Sequence, residues 1–131
     1  MTGFILSIRS RMNLIGVHPD LQAVVRRALE ITPVDFMVGE GLRNRTRQAQ
    51  LVASGASRTM NSRHLTGHAV DLFAVVGKMI RWDWPLYEKI APAMKQAAKE
   101  KAVDLTWAGD WPGFRDGPHY ELSWQQYPLT S

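Results

Sequence analysis

The eight residues Ala69-Val70-Asp71-Leu72-Phe73-Ala74-Val75-Val76 are apolar and rich in β-branched side chains, except for one acid, Asp71. A run of this length and composition reads as a buried strand, with Asp71 a carboxylate set inside an otherwise apolar element. The chain has 131 residues, 45% of them hydrophobic, which is enough to cover such a strand in one domain spanning residues 1–131. It has no cysteine. Disulfides, thiolate nucleophiles and cysteine-based zinc sites are therefore excluded, and any metal must be held by His, Asp or Glu.

Around that strand the hydrophobic pattern alternates between helix and strand. His18-Pro19-Asp20 starts a helix, with Leu21, Val24, Val25, Ala28 and Leu29 at helical spacing, and Thr32-Pro33 ends it. Val34 to Val38 alternates as a strand. Gly39 to Asn44 is turn-rich, Arg45 to Ala53 reads as a short helix stopped at Gly55, and Ser54 to Thr66 reads as a loop. Gly77 and Lys78 form a turn. Pro85 to Lys101 is the longest helical pattern, and Pro92 inside it predicts a kink or two abutting helices. Val103–Trp107 and His119–Leu122 read as short strands around a Gly/Pro/Asp-rich loop, Ala108 to Pro118. The expected fold is α+β: a short antiparallel sheet with flanking helices.

Two segments carry chemistry. Ser62-Arg63-His64-Leu65-Thr66-Gly67-His68-Ala69-Val70-Asp71 and Asp116-Gly117-Pro118-His119-Tyr120-Glu121 each place a His and a carboxylate beside a turn-to-strand junction. A catalytic zinc takes three protein ligands from neutral His and carboxylate and keeps a fourth position for water. His64, Asp71 and His119 supply such a set, and Gly67 lets the chain turn between the first two. Hydrolysis also needs a proton carrier. Asp116, three residues before His119 across an Asp-Gly-Pro turn, has the position for it; an ordinary turn aspartate is the competing reading. Arg43, in Glu40-Gly41-Leu42-Arg43, is the best cation for a developing oxyanion, although most arginines are solvated surface groups.

The pattern Ser-x-His-x-x-Gly-x-Ala-x-Asp, followed by Asp-x-x-His-x-Glu, resembles the zinc D-Ala-D-Ala carboxypeptidase and L-alanyl-D-glutamate peptidase family, with the phage endolysin branch closest. The resemblance runs from Gly16-Val17-His18-Pro19-Asp20 through Gly41-Leu42-Arg43, Gln48 and Trp107-Ala108-Gly109-Asp110-Trp111 to Glu121-Leu122. It implies one zinc ion on His64, Asp71 and His119, a base at Asp116 and a transition-state arginine at Arg43. It also implies a fold shared with Hedgehog and DD-peptidase domains. Ser62 matches the motif serine, as a support for the site or a hydrogen bond to substrate. Ala108 departs from the glycine often found there, which bears on the shape of a substrate subsite.

Other residues have competing readings. Leu65 stands where a helical metalloprotease motif needs Glu, so His68 is read as a nonligand, and His18 as helix-start structure. Glu121 shares a strand face with His119 and either orients it or pairs with a basic group. Asp110 is the runner-up for the base. Trp107 and Trp111 form either a wall for the peptide or part of the core, the usual place for Trp.

The formal net charge of +4 favours polyanionic partners. The functional expectation is an endolysin-type peptidoglycan peptidase that cuts a stem-peptide bond, L-alanyl-D-glutamate first. D-Ala-D-Ala carboxypeptidase action is the alternative, and a non-catalytic envelope-binding module on the same fold is a third reading. The expected partners are the stem peptide and the anionic envelope, with no nucleic acid and a monomeric chain. Phe4-Ile5-Leu6 is too short for a signal-peptide core, and no segment approaches the ~18 to 20 apolar residues of a membrane span. The expected route is therefore residence in the host cytoplasm until release to the cell wall in the periplasm.

Overall fold

The structure, a computed structural model, describes residues 3–128; Met1, Thr2 and residues 129–131 of the expected domain lie outside the described part. Five strands form one antiparallel sheet: β1 (Phe36–Glu40), β2 (Ala69–Val76), β3 (Met79–Arg81), β4 (Leu105–Trp107) and β5 (His119–Leu122). The order is β1-β2-β5-β4, with β3 paired to the far end of β2. The apolar run Ala69–Val76 is thus the central strand, pairing with three others.

Four α-helices occur among the described residues, α1 (Ile8–Asn13), α2 (Pro19–Ile31), α3 (Arg45–Ala53) and α4 (Trp84–Glu100), and α2 and α4 pack on one face of the sheet. Strand alternation sends Val70, Leu72 and Ala74 of β2 and Tyr120 and Leu122 of β5 into the core. There they meet Leu21, Val24, Val25 and Ala28 of α2 and Ile90, Met94 and Ala97 of α4. The other face of the same strands carries Asp71, His119 and Glu121. One periodicity therefore builds both the core and the floor of the site.

The N-terminal segment holds a helix that the hydrophobic pattern did not announce. Ser7 caps α1 by accepting a hydrogen bond from the Ser10 amide at 3.1 Å. Ser10 is fully buried and its hydroxyl accepts from the Val38 amide at 2.9 Å, while Asn13 donates to the Val38 carbonyl at 2.8 Å. This helix therefore covers the edge of β1 with polar groups, and its apolar Ile8 and Met12 face outward.

Two strand starts and the expected break at Pro92 differ from the sequence expectation. β1 starts at Phe36 because Thr32 folds Val34 into a turn, its hydroxyl donating to the Val34 carbonyl at 2.8 Å. β4 starts at Leu105 because the Val103 amide still closes the end of α4 on the Ala98 carbonyl at 2.9 Å. Pro92 does not divide α4: Tyr87 and Ile90 before it and Met94, Ala97 and Ala98 after it are buried in the same core, which holds both halves in one helix.

Candidate metal centre and its cleft

A cleft of about 650 Å³ opens over the sheet, lined among others by Arg43, Ser62, His64, Asp71, Trp111, Asp116, His119 and Glu121. Its floor is set by register. Asp71 of β2 lies directly opposite His119 of β5, so two donors 48 residues apart in sequence share one cross-strand position. His64 arrives from a 3-10 turn, Arg63–Thr66, capped by the Ser62 hydroxyl, which accepts from the His64 amide at 3.2 Å. Gly67 ends that turn in the left-handed region at φ 76°, and a Cβ there would lie 2.3 Å from the Gly16 carbonyl oxygen. Only glycine meets both demands.

The three donor atoms converge. His64 Nε2 lies 3.2 Å from Asp71 Oδ1 and 3.2 Å from His119 Nδ1, and His119 Nδ1 lies 3.1 Å from Asp71 Oδ1. The opposite nitrogen of each ring is held. His64 Nδ1 is 2.8 Å from the Gly41 carbonyl, which can only accept, so Nδ1 carries the proton and Nε2 presents its lone pair inward. His119 Nε2 is 2.8 Å from Glu121 Oε1, which fixes the complementary tautomer, with Nδ1 inward. Two lone pairs and a carboxylate facing one another at this range repel unless a cation lies between them. Donors about 2.0–2.1 Å from a tetrahedral ion stand roughly 3.3 Å apart, close to the separations seen. This His64, Asp71 and His119 group fits a metal ion.

The electrostatics agree with that design. Without a metal, burial pushes Asp71 up, but the charge of His64 and the hydrogen bonds that His119 and His64 donate in their protonated forms outweigh it and hold the carboxyl far below its ordinary range. His119 is pushed up to about 9: burial works the other way, but hydrogen bonds to Asp71 and Glu121 dominate. Asp116 is raised, first by burial and then by the negative charge of Asp71, with His119, His64 and Arg43 opposing. Its carboxylate accepts no hydrogen bond from a described residue, and its backbone links the Ala108 carbonyl to the His119 amide.

Arg43 lies at the cleft with most of its donors engaged. Nη2 reaches Glu40 at 2.7 Å and Asp71 Oδ2 at 3.5 Å, Nε reaches Glu40 at 3.3 Å, and Nη1 donates to Gln48 at 2.8 Å. It therefore grips the oxygen of Asp71 that points away from the two histidines. Glu40 is able to help because the pairing of β1 shifts at Gly39: Val38 pairs with Leu72 and Glu40 with Asp71, so the bulge turns Glu40 toward the cleft instead of the core. The sequence reading named neither Glu40 nor Gln48 for a role. A glycine inside a strand was the available signal for the bulge.

Two residues expected near the substrate stand elsewhere. Trp107 is buried, its indole donating to the Gly117 carbonyl at 2.7 Å and its ring stacked with Trp84 and Tyr120; it packs the core and does not line the cleft. Asp110 ends a 3-10 turn facing α4, where Lys95 pairs with it at 2.7 Å, so it is not at the cleft either. Trp111 is the tryptophan of this segment that forms a wall, its ring 5.6 Å from that of His119. His18 caps α2 by accepting from the Asp20 amide at 3.1 Å, and His68 lies 2.6 Å from the Thr66 hydroxyl, outside the donor group.

Fold and site together define a class: a small single α+β domain whose sheet presents a buried His/Asp/His donor set to an open cleft. A family model described as phage L-alanyl-D-glutamate peptidase matches residues 2–123. The chain is 35% identical over 130 residues to the L-alanyl-D-glutamate peptidase of Listeria phage A118, covering 97% of this chain and 45% of that protein. It is 35% identical over 128 residues to the L-alanyl-D-glutamate peptidase of Escherichia phage T5, covering 86% of this chain and 93% of the relative. The crystal structure of the Serratia marcescens L-Ala D-Glu endopeptidase ChiX superposes with a TM-score of 0.90 at 46% identity, over 95% of this chain and 93% of that one. This chain belongs to the phage L-alanyl-D-glutamate peptidase family.

Proposed function

We propose that this chain is a zinc-dependent peptidase that hydrolyses the L-alanyl-D-glutamate bond of peptidoglycan stem peptides in lysis of the bacterial cell wall. The observation that carries the reading is the inward triangle of His64 Nε2, Asp71 Oδ1 and His119 Nδ1, with sides of 3.1–3.2 Å, beside the Asp116 carboxylate, which accepts no hydrogen bond from a described residue. Two imidazole nitrogens and one carboxylate oxygen are a donor set suited to zinc. An ion bound there would supply Lewis-acid polarisation of the scissile carbonyl and acidify water to a pKa of about 7.

The protein's own groups do the rest. Asp116, kept basic enough by burial and by Asp71, takes the proton of the attacking water and returns it to the departing amine. Arg43 fixes Asp71 and sets a positive charge beside the carbonyl oxygen as it gains charge. Glu121 and the Gly41 carbonyl hold the two rings in the tautomers the site needs. Trp111 and Phe114 wall the cleft. No helix among the described residues is long and apolar enough to cross a membrane, and the net charge of +4 gives the anionic envelope an electrostatic hold on the protein.

Mass spectrometry of muropeptides after digestion, with and without a chelator, tests the proposal. New fragments with free D-glutamate amino termini, lost on chelation and restored by zinc, are expected. Release of D-alanine alone would replace the reading with carboxypeptidase action, and chelator-resistant cleavage would remove the metal from it.

A further inference from the structure

The cations lining the cleft are unequally committed. Arg43 is bound to Glu40, Gln48 and Asp71. Arg63 is buried, donating to the carbonyls of Leu122, Ser123 and Tyr127 with its guanidinium 4.0 Å from the Trp124 ring centre. Arg58 differs from both. It is exposed, and its partner among the described residues is a ring: its guanidinium carbon lies 4.9 Å from the centre of Phe114, and it makes no ion pair or hydrogen bond with a described residue. Glu40 and Glu121 are already taken by Arg43 and His119. Among the described residues lining the cleft, Arg58 is thus the exposed cation open to an incoming anion, since the unpartnered nitrogen of Arg63, Nη1, is buried.

That cation is also held in place. Gln48, fully buried, donates to the Ser57 hydroxyl at 2.8 Å and to the Thr59 carbonyl at 2.6 Å, and so clamps the chain on both sides of Arg58. Its side-chain oxygen meanwhile accepts from Arg43. One buried amide therefore ties the wall that carries Arg58 to the arginine that grips Asp71. Phe114, across the cleft, limits the positions the guanidinium can take. A guanidinium seated over an aromatic ring keeps its N–H edge available for bidentate pairing with a carboxylate.

The substrate class under the proposed function brings such a group. Glutamate has two carboxyls, and the onward peptide bond uses at most one. The other is ionised near neutrality, its ordinary pKa being about 4, and it lies a few bonds from the scissile amide. In a cleft whose lining also carries Asp116, Glu40 and Glu121, an entering carboxylate gains from a cation of its own. We infer that Arg58 receives this free carboxylate and selects glutamate on the amine side of the scissile bond, with Phe114 as its positioning residue.

The inference rests on the proposed peptidase activity, and the experiment separates the two. Zinc-loaded protein is given two synthetic stem peptides that differ only in whether the free carboxyl of D-glutamate is an acid or a carboxamide. Wild type is expected to favour the acid by on the order of ten- to a hundredfold in kcat/KM, mostly through KM, the scale of a hydrogen bond to a charged group. Arg58→Ala and Arg58→Gln bring the ratio close to one, Arg58→Lys falls between, and Phe114→Leu lowers it by a smaller factor, all at wild-type zinc content. Arg58→Ala with an unchanged acid preference, or wild type without any preference, overturns the role of Arg58 while leaving the peptidase reading intact. Cleavage of neither peptide by wild type overturns the peptidase reading and this inference with it.

Discussion

The cleft floor is made of paired strands and a capped turn, in which Asp71 faces His119 across a ladder and each histidine has its far nitrogen held at 2.8 Å. The cleft walls, residues 54–62 and 111–116, are loops tied down by a few side-chain contacts: Gln48 to Ser57 and Thr59, Arg58 to Phe114, and Arg115 to the Gly109 carbonyl at 2.9 Å. A floor of this kind fixes donor atoms to within a few tenths of an ångström; walls of this kind can adjust to a substrate. On the proposed function, the rigid part holds the metal and the adjustable part chooses the substrate, while Asp116, where the wall runs into β5, handles the proton.

The sharpest way to break that division is to damage each part and see whether the expected property follows. His64→Ala is expected to have the largest effect, abolishing both zinc retention, measured by elemental analysis, and hydrolysis of muropeptides. Asp116→Ala is expected to retain zinc yet lose about 10²- to 10⁴-fold in kcat, the usual worth of a positioned acid–base group; retention of near-full turnover would remove Asp116 from its role. Glu121→Gln replaces the carboxylate that holds His119 and is expected to weaken zinc affinity by roughly 10- to 100-fold, read by competition with a chromogenic chelator. A wall variant with the same effect on zinc would contradict the division.

Two smaller effects sharpen it. In the metal-free protein the folded-state pKa of His119 is raised from 6.5 to about 9, so its contribution to stability is complete below about pH 6.5 and is lost as pH rises through 9. The melting temperature of metal-free protein should therefore fall across that window, while the zinc-loaded protein should not share the fall. Gly67→Ala places a side chain at φ 76° and against the Gly16 carbonyl; it is expected to cost about 1 kcal/mol or more, seen as a lower denaturant midpoint.

The same contrast explains what was legible in the sequence. Metal chemistry admits few residue types, so His64, Asp71 and His119 stand out in the chain, and strand alternation from Ala69 to Val76 already puts Asp71 off the core face. Helices α2 and α4 were readable because their apolar residues turn inward. Helix α1 inverts that rule: it buries Ser10 and exposes Ile8 and Met12, so no hydrophobic period marks it. Strand β3 is three exposed residues that exist by pairing with β2 beyond the Gly77-Lys78 turn, where both residues have positive φ, 57° and 68°. Trp107 and Trp111 look equivalent in sequence, four residues apart, yet one closes the core and the other lines the cleft. The position of the wall depends on Gln48 reaching residues 9 and 11 places away, which no local pattern encodes.

A crystal soaked in zinc and measured at the zinc absorption edge tests the centre most directly. One anomalous peak is expected at about 2.0–2.2 Å from His64 Nε2, Asp71 Oδ1 and His119 Nδ1 together. A peak bound through His64 Nδ1, or lying away from this triangle, would contradict the account.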